Sequence, residues 1–230
     1  MSTSNYLLVS GGSGGIGAAV CTIAAERGFI PVVGYRNGSA SAKTVAKRTG
    51  GMALPLDLCD AQSINAAVSV LAARDEPLVG VVLAASPPPT IAAFSKITVE
   101  DLDLQLQVNV TGPQRLLSGL VQACFRPNKR GSVVAVLTKA MGEEGWGANP
   151  HMGAYVIAKH GLQGVLAALA ADYPWLNTNF VKPGYTETPM LEAFGHRFLE
   201  IQREMAPFQT AEQVALRIVD KIMGSSSRLD

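Results

Sequence analysis

Short apolar runs alternate along this chain with longer stretches whose apolar positions recur every three or four residues. Asn5–Ser10 (NYLLVS), Phe29–Tyr35 (FIPVVGY), Met52–Leu56, Leu78–Ala84 (LVGVVLA), Ser132–Leu137 and Asn179–Lys182 predict strands. The runs at Leu78–Ala84 and Ser132–Leu137 are apolar at nearly every position, as expected of strands covered on both faces. Helical spacing covers about Ile16–Arg27, Ala40–Arg48, Ala61–Arg74, Val99–Phe125, His151–Tyr173 and Ala211–Met223. Thr98 is placed to cap the fourth of these, with Asp101 at capping-box spacing. Strand and helix alternating this often predict an α/β fold, a doubly wound parallel sheet with helices on both faces. Neither a repeat nor a linker divides the sequence, so residues 1–230 read as one domain.

Composition narrows the function classes. Of 230 residues, 48% are hydrophobic and 16% charged, which excludes a disordered chain. A net charge of +1 gives no general reason to expect nucleic acid or an anionic membrane as partner. Cys21, Cys59 and Cys124 are far apart and odd in number, so a reducing compartment, the cytoplasm, is expected over a disulfide framework. The N-terminal residues lack a basic segment leading into a long apolar one, so no signal peptide is expected. The longest membrane candidate, 153–171, is interrupted by Lys159, His160 and Gln163, and no membrane span is expected. His151, His160 and His196 lack the spacing of a metal site, so no metal is expected.

The chemistry begins at Ser10-Gly11-Gly12-Ser13-Gly14-Gly15-Ile16-Gly17, between the first strand and the first helix. Backbone N–H groups at a helix N-terminus attract a pyrophosphate, and glycines let it approach closely. Three spacings overlap here. Gly12-x-Gly14-x-x-Gly17 is the general dinucleotide fingerprint. Gly11-x-x-x-Gly15-x-Gly17 is that of the short-chain dehydrogenases. Gly11-x-Ser13-x-Gly15 matches a hydrolase nucleophile elbow, whose partners would be Asp172 and His196, although an elbow this early leaves few strands before it. No acidic residue occurs between Glu26 and Asp57, whereas Arg36 directly follows the second strand. An acid there would bind the ribose hydroxyls of NAD, and an arginine accepts the 2′-phosphate of NADP. NADP is therefore expected over NAD. Lys43, Lys47 and Arg48 read as a solvated helix face.

Tyr155 and Lys159 stand at i and i+4 early in a predicted helix, on one face. A free phenol has a pKa near 10, and a neighbouring ammonium favours its ionised form. Such a tyrosine can exchange a proton with a carbonyl oxygen. Packing with a snorkelling lysine is the bland alternative for the pair alone.

From Ser10 to about Met190 these features occur in an order that resembles the short-chain dehydrogenase/reductase family, specifically a small 3-oxoacyl reductase-like member with a Rossmann fold. Gly11, Ser13, Gly15, Ile16 and Gly17 resemble its cofactor loop, with Ser10 for the usual threonine. Asp57-Leu58 resembles the pair at the adenine, and Val108-Asn109-Val110 the segment with the catalytic asparagine. Pro183-Gly184-Tyr185-Thr186-Glu187-Thr188-Pro189-Met190 resembles the segment flanking the nicotinamide, with Pro183, Gly184, Thr186 and Thr188 as cofactor contacts. The resemblance implies that Tyr155 acts as general acid, Thr138 orients the carbonyl, Lys159 holds the nicotinamide ribose, and Asn109 anchors a relay water.

Three positions depart from the family pattern. Leu83-Ala84-Ala85-Ser86 replaces Asn-Asn-Ala-Gly, with Ala85 still small enough for close cofactor approach. Thr138 stands where a serine is usual. The sequence reaches Gly224–Asp230 where a seventh strand would begin, so six strands are expected. The implied activity is NADPH-dependent ketone reduction, possible substrates being a 3-oxoacyl thioester or another apolar ketone. The alternative is a weakly catalytic NADP-binding sensor or partner subunit. Pro87–Phe94, Lys139–Met152 and Tyr185–Phe198 are expected to line the pocket, with Trp146, Met141, Phe94 and Phe194 as its apolar surface. The two long helices are expected to form a homodimer or homotetramer.

Overall fold

The structure is a computed structural model, and it describes residues 5–142 and 147–224. The main sheet comprises β1 (Asn5–Ser10), β2 (Phe29–Tyr35), β3 (Met52–Pro55), β4 (Leu78–Leu83), β5 (Ser132–Val136) and β6 (Asn177–Val181). Its order is β3-β2-β1-β4-β5-β6, and every pairing is parallel. The chain leaves β1 toward one edge and resumes at β4 on the other side, so a crevice opens at the carboxyl ends of β1 and β4. Residues 225–230, where a seventh strand was expected to be lacking, lie outside the described residues.

Successive side chains of a strand face opposite layers. Leu8, Val81, Val133 and Ala135 join one core with α3 (Ala61–Ala72), α5 (Gly112–Leu120) and α6 (Gly153–Asp172). Leu7, Val9, Val82 and Val134 join the other, with α1 (Gly15–Glu26), α2 (Ser39–Thr49) and α8 (Ala211–Met223). Burial on both faces explains why these strands read as continuous apolar runs. Helix α6 is long and apolar enough in composition to cross a membrane, yet it packs on β5 and β6 and carries the buried Lys159.

The long helix expected at 99–125 is subdivided. It runs as α4 (Val99–Leu106), a π turn (Gln107–Thr111), α5, and a second π turn (Val121–Phe125). Thr98 caps α4 by accepting from the Asp101 N–H at 3.1 Å. Asp101 does not return the capping-box bond: its Oδ1 accepts from the Thr90 hydroxyl at 3.0 Å, fastening the proline-rich segment to the helix. The full capping box is at Thr210 and Gln213, opening α8.

Sequence patterning missed an excursion after β6. Two-residue strands β7 (Thr186–Glu187) and β8 (Gln209–Thr210) pair in parallel and hold together the ends of the segment 188–208, which carries α7 (His196–Met205). Arg203 on α7 forks onto both carboxylate oxygens of Glu187 at 3.1 and 3.2 Å.

Candidate active site

The crevice holds two adjoining cavities. The first, of about 580 Å³, is lined by Gly11, Ser13, Gly15, Ile16, Gly17, Arg36, Asp57, Leu58, Ala85 and Thr188. The second, of about 480 Å³, is lined by Thr138, Tyr155, Lys159, Pro183, Gly184, Thr186 and again Thr188. Every predicted cofactor residue thus borders one or other cavity, and Ile16 and Thr188 border both.

The glycine turn is shaped by contact as well as by dihedral angle. Gly11 has φ +67°, and a Cβ there would lie 2.8 Å from Ala85 Cα. A Cβ on Gly17 would run into the Gly11 carbonyl oxygen. Ser10 tethers the next strand end, its hydroxyl accepting from the Ala84 and Ala85 N–H groups at 3.2 and 3.3 Å. These bonds act at the segment where Leu83 and Ala84 stand in place of the two asparagines of the pattern that the sequence resembles. Asp57 Oδ1 accepts from the Cys59 N–H at 2.9 Å, and Arg36 lies beside the Cys59 thiol. Burial and the Asp57 carboxylate raise that thiol's pKa, with Arg36 opposing them.

At the inner end, Thr138 follows β5, Tyr155 and Lys159 project from the first turns of α6, and the Thr138 hydroxyl lies beside the phenol. Burial pushes Tyr155 up to about 12, with the neighbouring Thr138 hydroxyl opposing it. The sequence-based expectation was a lowering by Lys159. Desolvation overrides it, because Lys159 is itself buried and brought down to about 7, which weakens its hold as a cation. Its Nζ lies 5.4 Å from the Tyr155 ring centroid and donates to the Val136 carbonyl at 2.8 Å.

Asn109 lines neither cavity. It sits fully buried in the first π turn, a local irregularity often found at functional sites. Its Nδ2 donates to the carbonyl oxygen and Oε1 of Gln105 at 3.1 and 3.0 Å. Its Oδ1 is buried without a hydrogen-bond partner among the described residues. A buried orphan acceptor is costly, and a donor or a water on the far side would satisfy it. The π turn packs on α6 so closely that a Cβ on Gly161 would lie 2.7 Å from Val110 Cγ2.

The predicted apolar lining needs correction. Phe194 lines the second cavity, but Met141 is buried in the core and Phe94 is 79% exposed, outside both cavities. Trp146, with Glu143 and Glu144, lies outside the described residues. The outer wall is instead an aromatic cluster: Tyr185 meets Phe194 edge-on at 5.6 Å and stacks on Phe208 at 5.2 Å. Phe208, Gln202 and Gln209 line the cavity from beyond the predicted segments. Gln209 Oε1 accepts from the Gly184 N–H at 3.3 Å and from Arg217 at 3.2 Å. The apolar spacing of Phe198, Ile201 and Met205 was the available signal for α7.

The hydrolase arrangement is not assembled. His196 is largely exposed and faces Glu200 at 3.4 Å, Asp172 ends α6, and Ser13 borders the first cavity with neither of them. Among the described residues no cluster of metal-ligating side chains occurs.

These residues fit a dinucleotide: a glycine cradle that side chains would obstruct, an elongated two-chamber crevice, and a Tyr-Lys pair at its inner end. The sequence matches the family described as "Enoyl-(Acyl carrier protein) reductase" over residues 11–217. It is 28% identical to 2,5-dichloro-2,5-cyclohexadiene-1,4-diol dehydrogenase of Sphingobium indicum, over 81% of this chain and 74% of that protein. It is 27% identical to acetoacetyl-CoA reductase of Synechocystis sp., over 88% of this chain and 80% of that protein. The fold is similar to that of 3-ketoacyl-(acyl-carrier-protein) reductase from Brucella melitensis, solved with NADH, at a TM-score of 0.86 and 20% identity, covering 98% and 93% of the two chains. On motif, fold and relatives together, the chain belongs to the short-chain dehydrogenase/reductase family, NAD(P)-dependent oxidoreductases that act on an alcohol/ketone pair.

Proposed function

We propose that this chain is an NADPH-dependent ketoreductase that reduces an apolar ketone or a 3-oxoacyl thioester. The observation that carries the reading is the meeting of Thr138, Tyr155 and Lys159 at the inner end of the second cavity. The bound dinucleotide supplies the hydride. A phenol at about 12 keeps its proton at neutral pH, the form that a reduction consumes. Thr138 holds the carbonyl oxygen near that proton, since its hydroxyl both donates and accepts. Lys159 would hold the nicotinamide ribose, and the buried Oδ1 of Asn109, without a partner among the described residues, is open to accept from a relay water that would refill Tyr155.

Gly11, Ser13, Gly15, Ile16 and Gly17 would cradle the pyrophosphate, Asp57, Leu58 and Ala85 the adenosine, and Pro183, Gly184, Thr186 and Thr188 the nicotinamide end. Arg36, exposed at the mouth of the first cavity, supports NADP over NAD. Apolar Val99 and Leu104 on α4 and Ile157 on α6 are exposed, which supports a homodimer or homotetramer built on those helices. The three free thiols agree with a cytoplasmic setting. We read residues 1–230 as one catalytic and cofactor-binding domain.

The test is NADPH oxidation against a panel of ketones and oxoacyl thioesters, with Tyr155→Phe as control. Turnover that falls by about 10²–10⁴ in the variant supports the reading. Tight NADPH binding without turnover by the parent chain would favour the sensor alternative.

A further inference from the structure

The second cavity has a charge pattern that ketone reduction does not require. Its lining among the described residues includes two lysines, Lys139 and Lys159, and no aspartate or glutamate. Lys159 is buried and donates to the Val136 carbonyl. Lys139 is exposed, and its ammonium has no hydrogen bond or ion pair to any described residue. A cation lining a cavity whose other described side chains, Lys159 apart, are uncharged attracts an anion there.

The backbone beneath Lys139 is well fixed. The residue follows Thr138 and opens a 3₁₀ turn, Lys139–Met141, which Thr138 caps by accepting from the Ala140 N–H at 3.1 Å. The Lys139 N–H donates to the Pro183 carbonyl at 2.9 Å. Its stem passes Gly184, where an added Cβ would make an ordinary contact, 3.8 Å, with Lys139 Cδ. Lys139 and Thr138 line the same cavity, so the ammonium and a ketone held by Thr138 would share one space. Lys139 does not border the first cavity, where the dinucleotide phosphates belong, so the cofactor's own anions are poor candidates for it.

We propose that Lys139 is a specificity-determining residue that binds a carboxylate borne by the ketone itself, making the substrate class an apolar, ring- or chain-bearing oxo acid. The inference rests on the ketoreductase reading. The apolar body would lie against Tyr185, Phe194 and Phe208, with the carboxylate at the cavity mouth. The phosphate of an acyl carrier would not serve, because it lies a long pantetheine arm away from the carbonyl.

The test compares 4-oxocyclohexanecarboxylate with its methyl ester, using the full chain and NADPH. The wild type is expected to favour the acid, and Lys139→Met to lower the acid-to-ester ratio of kcat/KM by about 10-fold. That is the lower end for a hydrogen bond to a charged group, chosen because Lys139 is exposed. Lys139→Arg is expected to keep the ratio, and high salt to reduce it in the wild type. An equal ratio in wild type and Lys139→Met overturns the proposal. If neither ketone is reduced, that counts against the ketoreductase reading, and calorimetry with cyclohexanecarboxylate decides the anion site separately. Binding about 10-fold weaker in Lys139→Met supports the site; equal binding, or none to either protein, refutes it.

Discussion

The buried lysine makes stability depend on pH in a definite direction. Lys159 has a folded pKa of about 7 against an ordinary value of 10.5, with desolvation as the cause. Between those values the unfolded chain holds a proton that the folded chain has released. The unfolded state therefore binds more protons, and stability rises with pH across the window. Tyr155 and Cys21 act oppositely at higher pH. Both are pushed up to about 12, so the unfolded chain loses their protons first and stability falls above about pH 9–10. The clean interval is pH 7 to 8.5. Each pKa unit corresponds to ~1.4 kcal/mol, so the lysine contributes a gain of at most roughly 1–2 kcal/mol over that interval. In a chain of this size that is a Tm rise of about 2–8 °C. Lys159→Met removes the titration. It also leaves the Val136 carbonyl without its donor, which shifts stability by a constant amount, so the slope is the test. Thermal melts at pH 7.0, 7.5, 8.0 and 8.5 are expected to show a positive slope in the wild type and a flatter one in the variant. Parallel curves would refute the account of Lys159 as a proton-releasing buried amine.

Arg36→Ala is expected to weaken NADPH about 10- to 100-fold, the range for charge-assisted hydrogen bonds, and to change NADH less than about threefold. Equilibrium titration of cofactor fluorescence reads both. Gly11→Ala combines a φ of +67° with a Cβ 2.8 Å from backbone, and is expected to cost about 2–4 kcal/mol, read by urea unfolding. Glu187→Gln loosens the exposed Arg203 fork that holds α7, a pair worth at most ~1 kcal/mol. It is expected to raise the substrate KM by no more than about fivefold while the Tm stays within about 3 °C, read by steady-state kinetics and melting.

Local patterning made the centre of the sheet legible because β1, β4 and β5 are buried on both faces, so each announces itself without knowledge of its neighbours. The same holds for the glycine turn and for Tyr155 and Lys159, whose spacing alone places them on one face. Asn109 was recognisable only by resemblance, since the π turn that buries it leaves no mark in apolar periodicity. The excursion 188–208 escaped because its two strands are two residues each, below any alternation signal. Met141 and Phe94 were misplaced for a related reason. Near a cavity, an apolar residue can face the core, the solvent or the ligand, and the order of residues does not distinguish these. The direction of the Tyr155 shift also required the fold, because desolvation is a property of the surroundings and a nearby lysine is not enough.

The ladder between β7 and β8 fixes how the outer wall can change. By joining Thr186–Glu187 to Gln209–Thr210, it brings both ends of the excursion to one place, independent of what lies between them. The entropic cost of closing a loop grows only with the logarithm of its length, about 0.6 kcal/mol per doubling. Residues beyond the cofactor contact Thr188 and the neighbouring Pro189 and Met190, that is 191–208, can therefore be lengthened, shortened or exchanged at small closure cost while β1, β4 and β5 keep their places. On the proposed reading, substrate range would reside in a replaceable cassette, and transplanting that segment between its flanking strands would be the economical way to redirect the chain.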